Sequence, residues 1–257
     1  MPFTYFGVLF RFLVPLLVVL VALTALDLRR GRRLPPAFRT WSPWLVLGAH
    51  VLVALVYTTP WDNYLVAQGV WWCNPALVTG LTLGYVPVEE YTFFVLQTLL
   101  VGLWLLWWMR RLSGDARPLV ARRGLRRWTA AALGGLWAIW LVLLAVGWRP
   151  GRYMALILVW ALPPLIVQMA FGADILWHHR RPVLAGLLPA VAYLSLVDAI
   201  AIGGGTWTIN PEDTLRLLMG GVLPLEEFVF FVVTNMLIVF GIVLVLAQES
   251  HARSRRR

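Results

Sequence analysis

Seven long apolar runs, separated by short links rich in Arg, Trp and Pro, constrain this chain more than any other feature. A hydrocarbon layer about 30 Å thick takes roughly 20 apolar residues per helix. Runs at 5–26, 44–57, 77–109, 128–147, 153–177, 183–202 and 222–247 meet or approach that length. With 60% hydrophobic and 13% charged residues among 257, the chain carries too much apolar surface for a water-soluble core. The expectation is an all-α polytopic membrane protein with about seven transmembrane helices. Trp41, Trp44, Trp107, Trp108, Trp128, Trp148 and Trp177 lie near the ends of the runs, where an amphipathic ring prefers the headgroup layer.

All 22 basic residues are Arg. A seven-helix photoreceptor, whose retinal is held as a lysine Schiff base, is therefore excluded, as is catalysis through any Lys imine. Eighteen of the Arg fall in the links 29–39, 110–127 and 180–181 and in the C-terminal stretch 253–257. With seven spans these segments share one side. Arg149, Arg152 and Arg216 lie on the other, and Arg11 lies within the first run. The positive-inside rule then predicts a multi-pass protein of the cell (cytoplasmic) membrane, with its N-terminus outside and its C-terminus cytoplasmic. The first run lacks a preceding basic region and reads as a retained signal anchor. The net charge of +10 is explained by topology, so anionic membrane lipid is the expected partner and nucleic acid is not. The lone Cys73 excludes an intrachain disulfide and a cysteine-built metal site. His50, His178, His179 and His251 show no ligand spacing, so no metal is expected. Gly203-Gly204-Gly205 lacks the strand–turn–helix context of a dinucleotide fingerprint, and no cofactor is expected.

Two stretches of the chain repeat each other. Asp62, Gly69, Trp71, Asn74, Pro75, Pro87, Glu89, Glu90, Phe93 and Phe94 correspond in order to Asp198, Gly205, Trp207, Asn210, Pro211, Pro224, Glu226, Glu227, Phe230 and Phe231. One residue of length separates the two copies. The reading is two parallel three-helix repeats, 1–112 and 151–248, joined by a basic loop and connector helix at 113–150 and followed by a basic tail at 249–257. An odd connector lets both copies enter the membrane in the same direction, and their interface is where a site would be built.

Paired carboxyls in apolar helices are informative because each ionised acid costs about 2.5–3.5 kcal/mol at the centre of a membrane helix. Glu89, Glu90, Glu226 and Glu227 are thus candidate acid–base groups in a dry cavity. The plainer reading puts them in first helical turns beside Pro, where acids are ordinary. Neighbouring helix positions point about 100° apart, so one Glu of each pair can face a cavity and the other a supporting partner. Asp62 and Asp198 lie at or just beyond helix ends, where a solvated carboxylate is the default, but their matched placement makes them candidate supporting residues. Trp71 and Trp207 share that placement. Asn74 and Asn210, each before Pro, read first as turn initiators. Tyr91, Phe93, Phe94, Phe228, Phe230 and Phe231 are ordinary core or lipid-facing aromatics unless their rings line a polyene pocket and stabilise a cation.

The stretches Tyr57-Thr58-Thr59-Pro60-Trp61-Asp62-Asn63-Tyr64 and Gly84-Tyr85-Val86-Pro87-Val88-Glu89-Glu90-Tyr91 resemble the small integral-membrane lycopene β-cyclases. So do Gly205-Thr206-Trp207-Thr208-Ile209-Asn210-Pro211 and Leu223-Pro224-Leu225-Glu226-Glu227. That family occurs as two bacterial subunits or as one fused archaeal or fungal chain, and this chain resembles the fused form over nearly its whole length. The resemblance implies isomerisation of the acyclic ψ-ends of lycopene to β-ionone rings, giving γ-carotene and then β-carotene, without a cofactor. It also implies acid–base roles that fall by position on Glu89 and Glu226, with Glu90 and Glu227 as tuning or relay partners. Association with upstream carotenoid enzymes is a further expectation. A related cyclase using a longer carotenoid or forming another ring isomer fits the same motifs. A proton-coupled carrier also combines parallel repeats with intramembrane acids, and a carotenoid binder would keep the aromatics without needing the acids.

Overall fold

Asp62 and Asp198, expected at or beyond helix ends, both lie inside helices and are buried. The computed structural model describes residues 3–112 and 118–255. Among them seven helices are long and apolar enough to cross a membrane. They are α1 (Tyr5–Arg29), α2 (Pro43–Ala67), α3 (Val88–Met109), α4 (Arg123–Ala145), α5 (Arg152–His178), α6 (Arg180–Gly203) and α7 (Leu225–Leu246). A short α8 (Gln248–Ser254) follows, where a basic tail was expected.

The second helix, α2, continues ten residues past 57 and through Pro60. Side chains brace the turns on either side of this Pro: Thr59 Oγ1 donates to Leu55 O at 2.6 Å and Asn63 Nδ2 to Thr59 O at 3.0 Å. In contrast, α3 starts eleven residues after 77, because Pro75 and Pro87 break the apolar run. Pro15 is accommodated in α1 by a wider turn over Leu9–Leu13, with Val14 N–H reaching back to Leu9 O.

The two repeats pack by one rule. In each, the first and second helices lie against the third, so α1 and α2 flank α3 as α5 and α6 flank α7. Across the repeats, α2 meets α7 and α6 meets α3. The connector α4 packs chiefly on α5 and buries none of its residues.

At the end carrying few Arg, the interhelical loops fold into short strands: β1 (Trp71–Cys73), β2 (Thr82–Leu83), β3 (Val86–Pro87), β4 (Trp207–Ile209), β5 (Leu218–Met219) and β6 (Leu223–Pro224). β2–β3 and β5–β6 are equivalent hairpins, one per repeat. β1 and β4 pair antiparallel between repeats, with Trp71 opposite Ile209 and Cys73 opposite Trp207. Arg149 and Arg152, on this end, reach the buried Asp213 at 3.6 and 3.7 Å. At the opposite end two buried aspartates are clamped by Arg forks. Arg111 binds Asp27 with two bonds of 2.8 Å, and Arg253 of α8 binds Asp174 at 2.9 and 2.8 Å.

Candidate active site

The Pro before each third helix stops the preceding hairpin and starts the helix, so both Glu pairs stand in first turns, at the positive end of a helix dipole. The plainer expectation for their position is therefore met. Unlike ordinary first-turn acids, however, Glu89, Glu226 and Glu227 are buried, the first two completely, and Glu90 is half-buried.

Within each pair the two carboxyls diverge. Glu89 Oε1 accepts Thr79 N–H at 2.7 Å, and Glu226 Oε1 accepts Leu215 N–H at 2.7 Å. These two tie the loop to the helix and do not line the central cavity. Glu89 and Glu226, on which the resemblance places the acid–base roles, are turned to the loops, because the loop preceding each hairpin folds back over the helix start. Glu90 and Glu227 face the cavity instead. Tyr5 of α1 donates its hydroxyl to Glu90 Oε2, and Tyr153 of α5 donates to Glu227 Oε1 at 2.6 Å.

Asp62 and Asp198 complete a ring of four carboxyls around that cavity. Trp71 Nε1 donates to Asp62 Oδ1 and Trp207 Nε1 to Asp198 Oδ1, each at 2.9 Å. The second oxygens, Asp62 Oδ2 and Asp198 Oδ2, are buried without a partner. A pseudo-twofold relation therefore holds for side chains as well as for helices: each copy supplies one Tyr-held Glu and one Trp-held Asp. Among the described residues, no Arg or His lines this cavity.

The remaining wall is aromatic and aliphatic. Phe93, Phe94, Phe230 and Phe231 line it, as do Trp61 and the faces of Trp71 and Trp207. Phe230 and Phe231 lie at 71° with centroids 5.3 Å apart, and Trp61 stacks on Trp160 at 4.4 Å. Such ring faces and edges suit a transient cation. Tyr91 and Phe228 lie outside the lining: Tyr91 OH donates to Leu83 O of the hairpin, and Phe228 packs on the core. Asn74 and Asn210 are turn residues, as their first reading had it. Each side chain accepts the N–H two residues on, from Ala76 and Glu212.

Tyr5 and Tyr153 were not among the residues singled out from the sequence. A signal exists: Tyr5 precedes Pro15 and Tyr153 precedes Pro163 by the same spacing, at the head of the first helix of each repeat. It is weak alone, because one Tyr and one Pro in an apolar helix are common.

His178, His179 and Glu249 bring possible ligand atoms within 4.8 Å of one another, a proximity invisible in the sequence. The group lies at the other end of the bundle from the carboxyls. Here His179 Nε2 pairs with Glu249 Oε2 at 3.4 Å. Burial pushes the Glu249 carboxyl up, but the His179 bond and the nearby histidines outweigh it and hold it below its ordinary value.

No family model and no solved structure matches the chain. Curated proteins do. Lycopene beta-cyclase of Halobacterium salinarum is 39% identical over 203 residues, covering 77% of this chain and 81% of that one. The bifunctional lycopene cyclase/phytoene synthase of Podospora anserina is 33% identical over 205 residues, and that of Colletotrichum graminicola 38% over 204, each matched over 34% of its own length. The archaeal match spans most of both proteins, and on it the chain belongs to the lycopene β-cyclase family.

Proposed function

We propose that this chain closes β-ionone rings on the ψ-ends of lycopene, giving γ-carotene and then β-carotene, with side-chain carboxyls as its only acid and base. The observation carrying this reading is the ring of four carboxyls, each with a single ring N–H or O–H donor, around an aromatic cavity without a basic side chain. Protonating an alkene needs an acid stronger than a phenol, and the cavity offers carboxyls alone.

A carboxylic O–H gives its proton to C2 of the end group, leaving a tertiary cation at C1. The C5=C6 electron pair forms the C1–C6 bond and moves the cation to C5. A carboxylate removes the C6 proton, and that C–H pair restores C5=C6. One proton enters and one leaves, so the product is an isomer and no redox cofactor is needed. Glu90 and Glu227 are the groups we place in these roles, one on each side of the cavity, with Asp62 and Asp198 as further carboxyls in the proton exchange. Tyr5 and Tyr153 position the Glu pair, and Trp71 and Trp207 position the Asp pair. The rings of Phe93, Phe94, Phe230 and Phe231 face the cation. Glu89 and Glu226 act as loop anchors.

The Arg distribution supports an N-terminus outside and a C-terminus in the cytoplasm, which puts the carboxyl ring near the outer face and anionic lipid at the Arg-rich end. The fused fungal relatives, whose names pair a cyclase with a phytoene synthase, support contact with an upstream carotenoid enzyme. The test is expression in bacteria that accumulate lycopene, followed by chromatography of the pigments with absorbance spectra. Ring-containing carotenoids are expected. Unchanged lycopene, with the protein present in the membrane, would overturn the reading.

A further inference from the structure

The cavity that holds the carboxyls has a volume of about 60 Å³. Taking about 15 Å³ of such space per water, it admits roughly four waters and not an isoprenoid end group. A larger space of about 290 Å³ lies directly beneath it, toward the middle of the bundle, between α2, α3, α5 and α7. The two share only Phe94 and Phe230 as walls. From Glu227 to Ile238, at its far end, α7 advances about 16 Å. Val53 and Tyr57, 61% and 42% exposed, form its rim toward lipid. Polar side chains in its wall are turned to neighbouring acceptors, with His50 Nδ1 2.8 Å from Val46 O and Gln168 Nε2 donating to Leu237 O at 3.0 Å.

The pseudo-twofold axis should generate a second such space between α6, α7, α1 and α3. The equivalence of positions is fixed by matching clasps: Tyr57 OH donates to Trp160 O at 2.8 Å, and Tyr193 OH to Phe12 O at 2.7 Å. Carried along the helices, this alignment puts Leu194 where Thr58 stands and Leu20 where Gln168 stands, and both Leu are 1% exposed. Trp104 stands where α7 has Gly241, and its indole reaches across to Ala185 O at 3.0 Å. A Cβ on Gly241 would meet His50 Nε2 at 2.4 Å, so only glycine leaves that wall as it is. One side is filled by bulky side chains and the other is open.

We propose that the space between α2, α3, α5 and α7 is the binding site for the polyene chain of the substrate, with the Phe94 and Phe230 rings as the movable partition between chain and reacting end. The proposal rests on the cyclase reading and adds where the rest of the molecule lies. Rotation of the two rings joins the spaces, so the end group reaches the carboxyls while the polyene extends into the middle of the bundle. Because only one side is open, one end reacts per binding event. The monocyclic product must withdraw and return with its other end leading.

The test uses Val53→Trp, which narrows the lipid-side rim from an exposed position, and Gly241→Leu, which pushes the lining His50 into the space from behind. Leu52→Trp, 62% exposed on lipid and outside the lining, is the control. In membranes supplied with lycopene, wild type and control should convert alike, and Val53→Trp and Gly241→Leu should each lower kcat/KM at least about tenfold, a loss of about 1.4 kcal/mol in transition-state stabilisation. A binding readout accompanies it: pigment should co-purify with Glu90→Gln/Glu227→Gln and be lost when Val53→Trp is added. Wild-type conversion and pigment retention in folded Val53→Trp would overturn the proposal even if Gly241→Leu fails to fold. A wild-type chain that leaves lycopene unchanged removes the cyclase reading itself, a different failure.

Discussion

Tyr153 donates its hydroxyl to Glu227 Oε1 across 2.6 Å, joining the first helix of the second repeat to the third at the wall of the carboxyl cavity. Tyr5 does the same for Glu90 in the first repeat. A hydrogen bond to a carboxylate contributes about 1.5–3 kcal/mol. Tyr153→Phe and Tyr5→Phe should each slow cyclisation about tenfold or more if that bond holds Glu in its reactive position. Because a positioning residue acts through the acid, the pH–rate profile should move while KM stays near wild type. Unchanged rates and profiles in both variants would remove the positioning role.

The diverging Glu pairs make a sharp comparison. Glu90→Gln and Glu227→Gln should each lower turnover by about 100-fold, the usual scale of a lost general acid or base. Glu89→Gln and Glu226→Gln keep an oxygen for the Thr79 and Leu215 N–H groups, so their activity should stay near wild type with a stability cost of about 1 kcal/mol. Initial rates normalised to protein in the membrane decide it, and the reverse order would restore the roles first drawn from the resemblance.

Cys73 offers a probe of the paired loops, since it is half-buried in β1 opposite Trp207. Burial pushes its thiol up, and the nearby carboxyl charges of Glu90, Glu89 and Asp62 add to this. The thiolate is the reactive form. Alkylation at neutral pH should therefore be far slower than for a free thiol, and should speed up on denaturation. Mass spectrometry of the intact chain measures it, and fast labelling of the native protein would show that β1 and β4 separate readily.

At the opposite end, Arg253→Ala strips the fork from the fully buried Asp174 carboxylate, leaving Arg126 at 3.8 Å and the Arg122 N–H. The cost should be about 3 kcal/mol, read as a lower thermal midpoint in detergent. Arg253→Lys should recover only part of it, because an ammonium cannot make the paired bonds. An unchanged midpoint for Arg253→Ala would mean that α8 contributes nothing to the bundle.

The seven spans, the duplication and the residue types of the site are legible along the chain, because apolar length and repeated spacing are linear properties. Asp62, Glu90, Trp71 and their counterparts could be named from them. The choice between Glu89 and Glu90 could not, since it depends on which way the loop before each hairpin closes over the helix start. The reach of α2 through Pro60 was hidden because a Pro inside an apolar run reads as a helix end, whereas packing against α3 and α7 carries the helix through it. Tyr5 and Tyr153 became site residues only when α1 and α5 packed beside α3 and α7, and the β1–β4 pair exists only because two distant loops meet. Tertiary packing also broke the symmetry that duplication imposed. Trp104 and Gly241 are one position in two copies: the indole reaches across to Ala185 O on one side, while His50 packs against the glycine on the other.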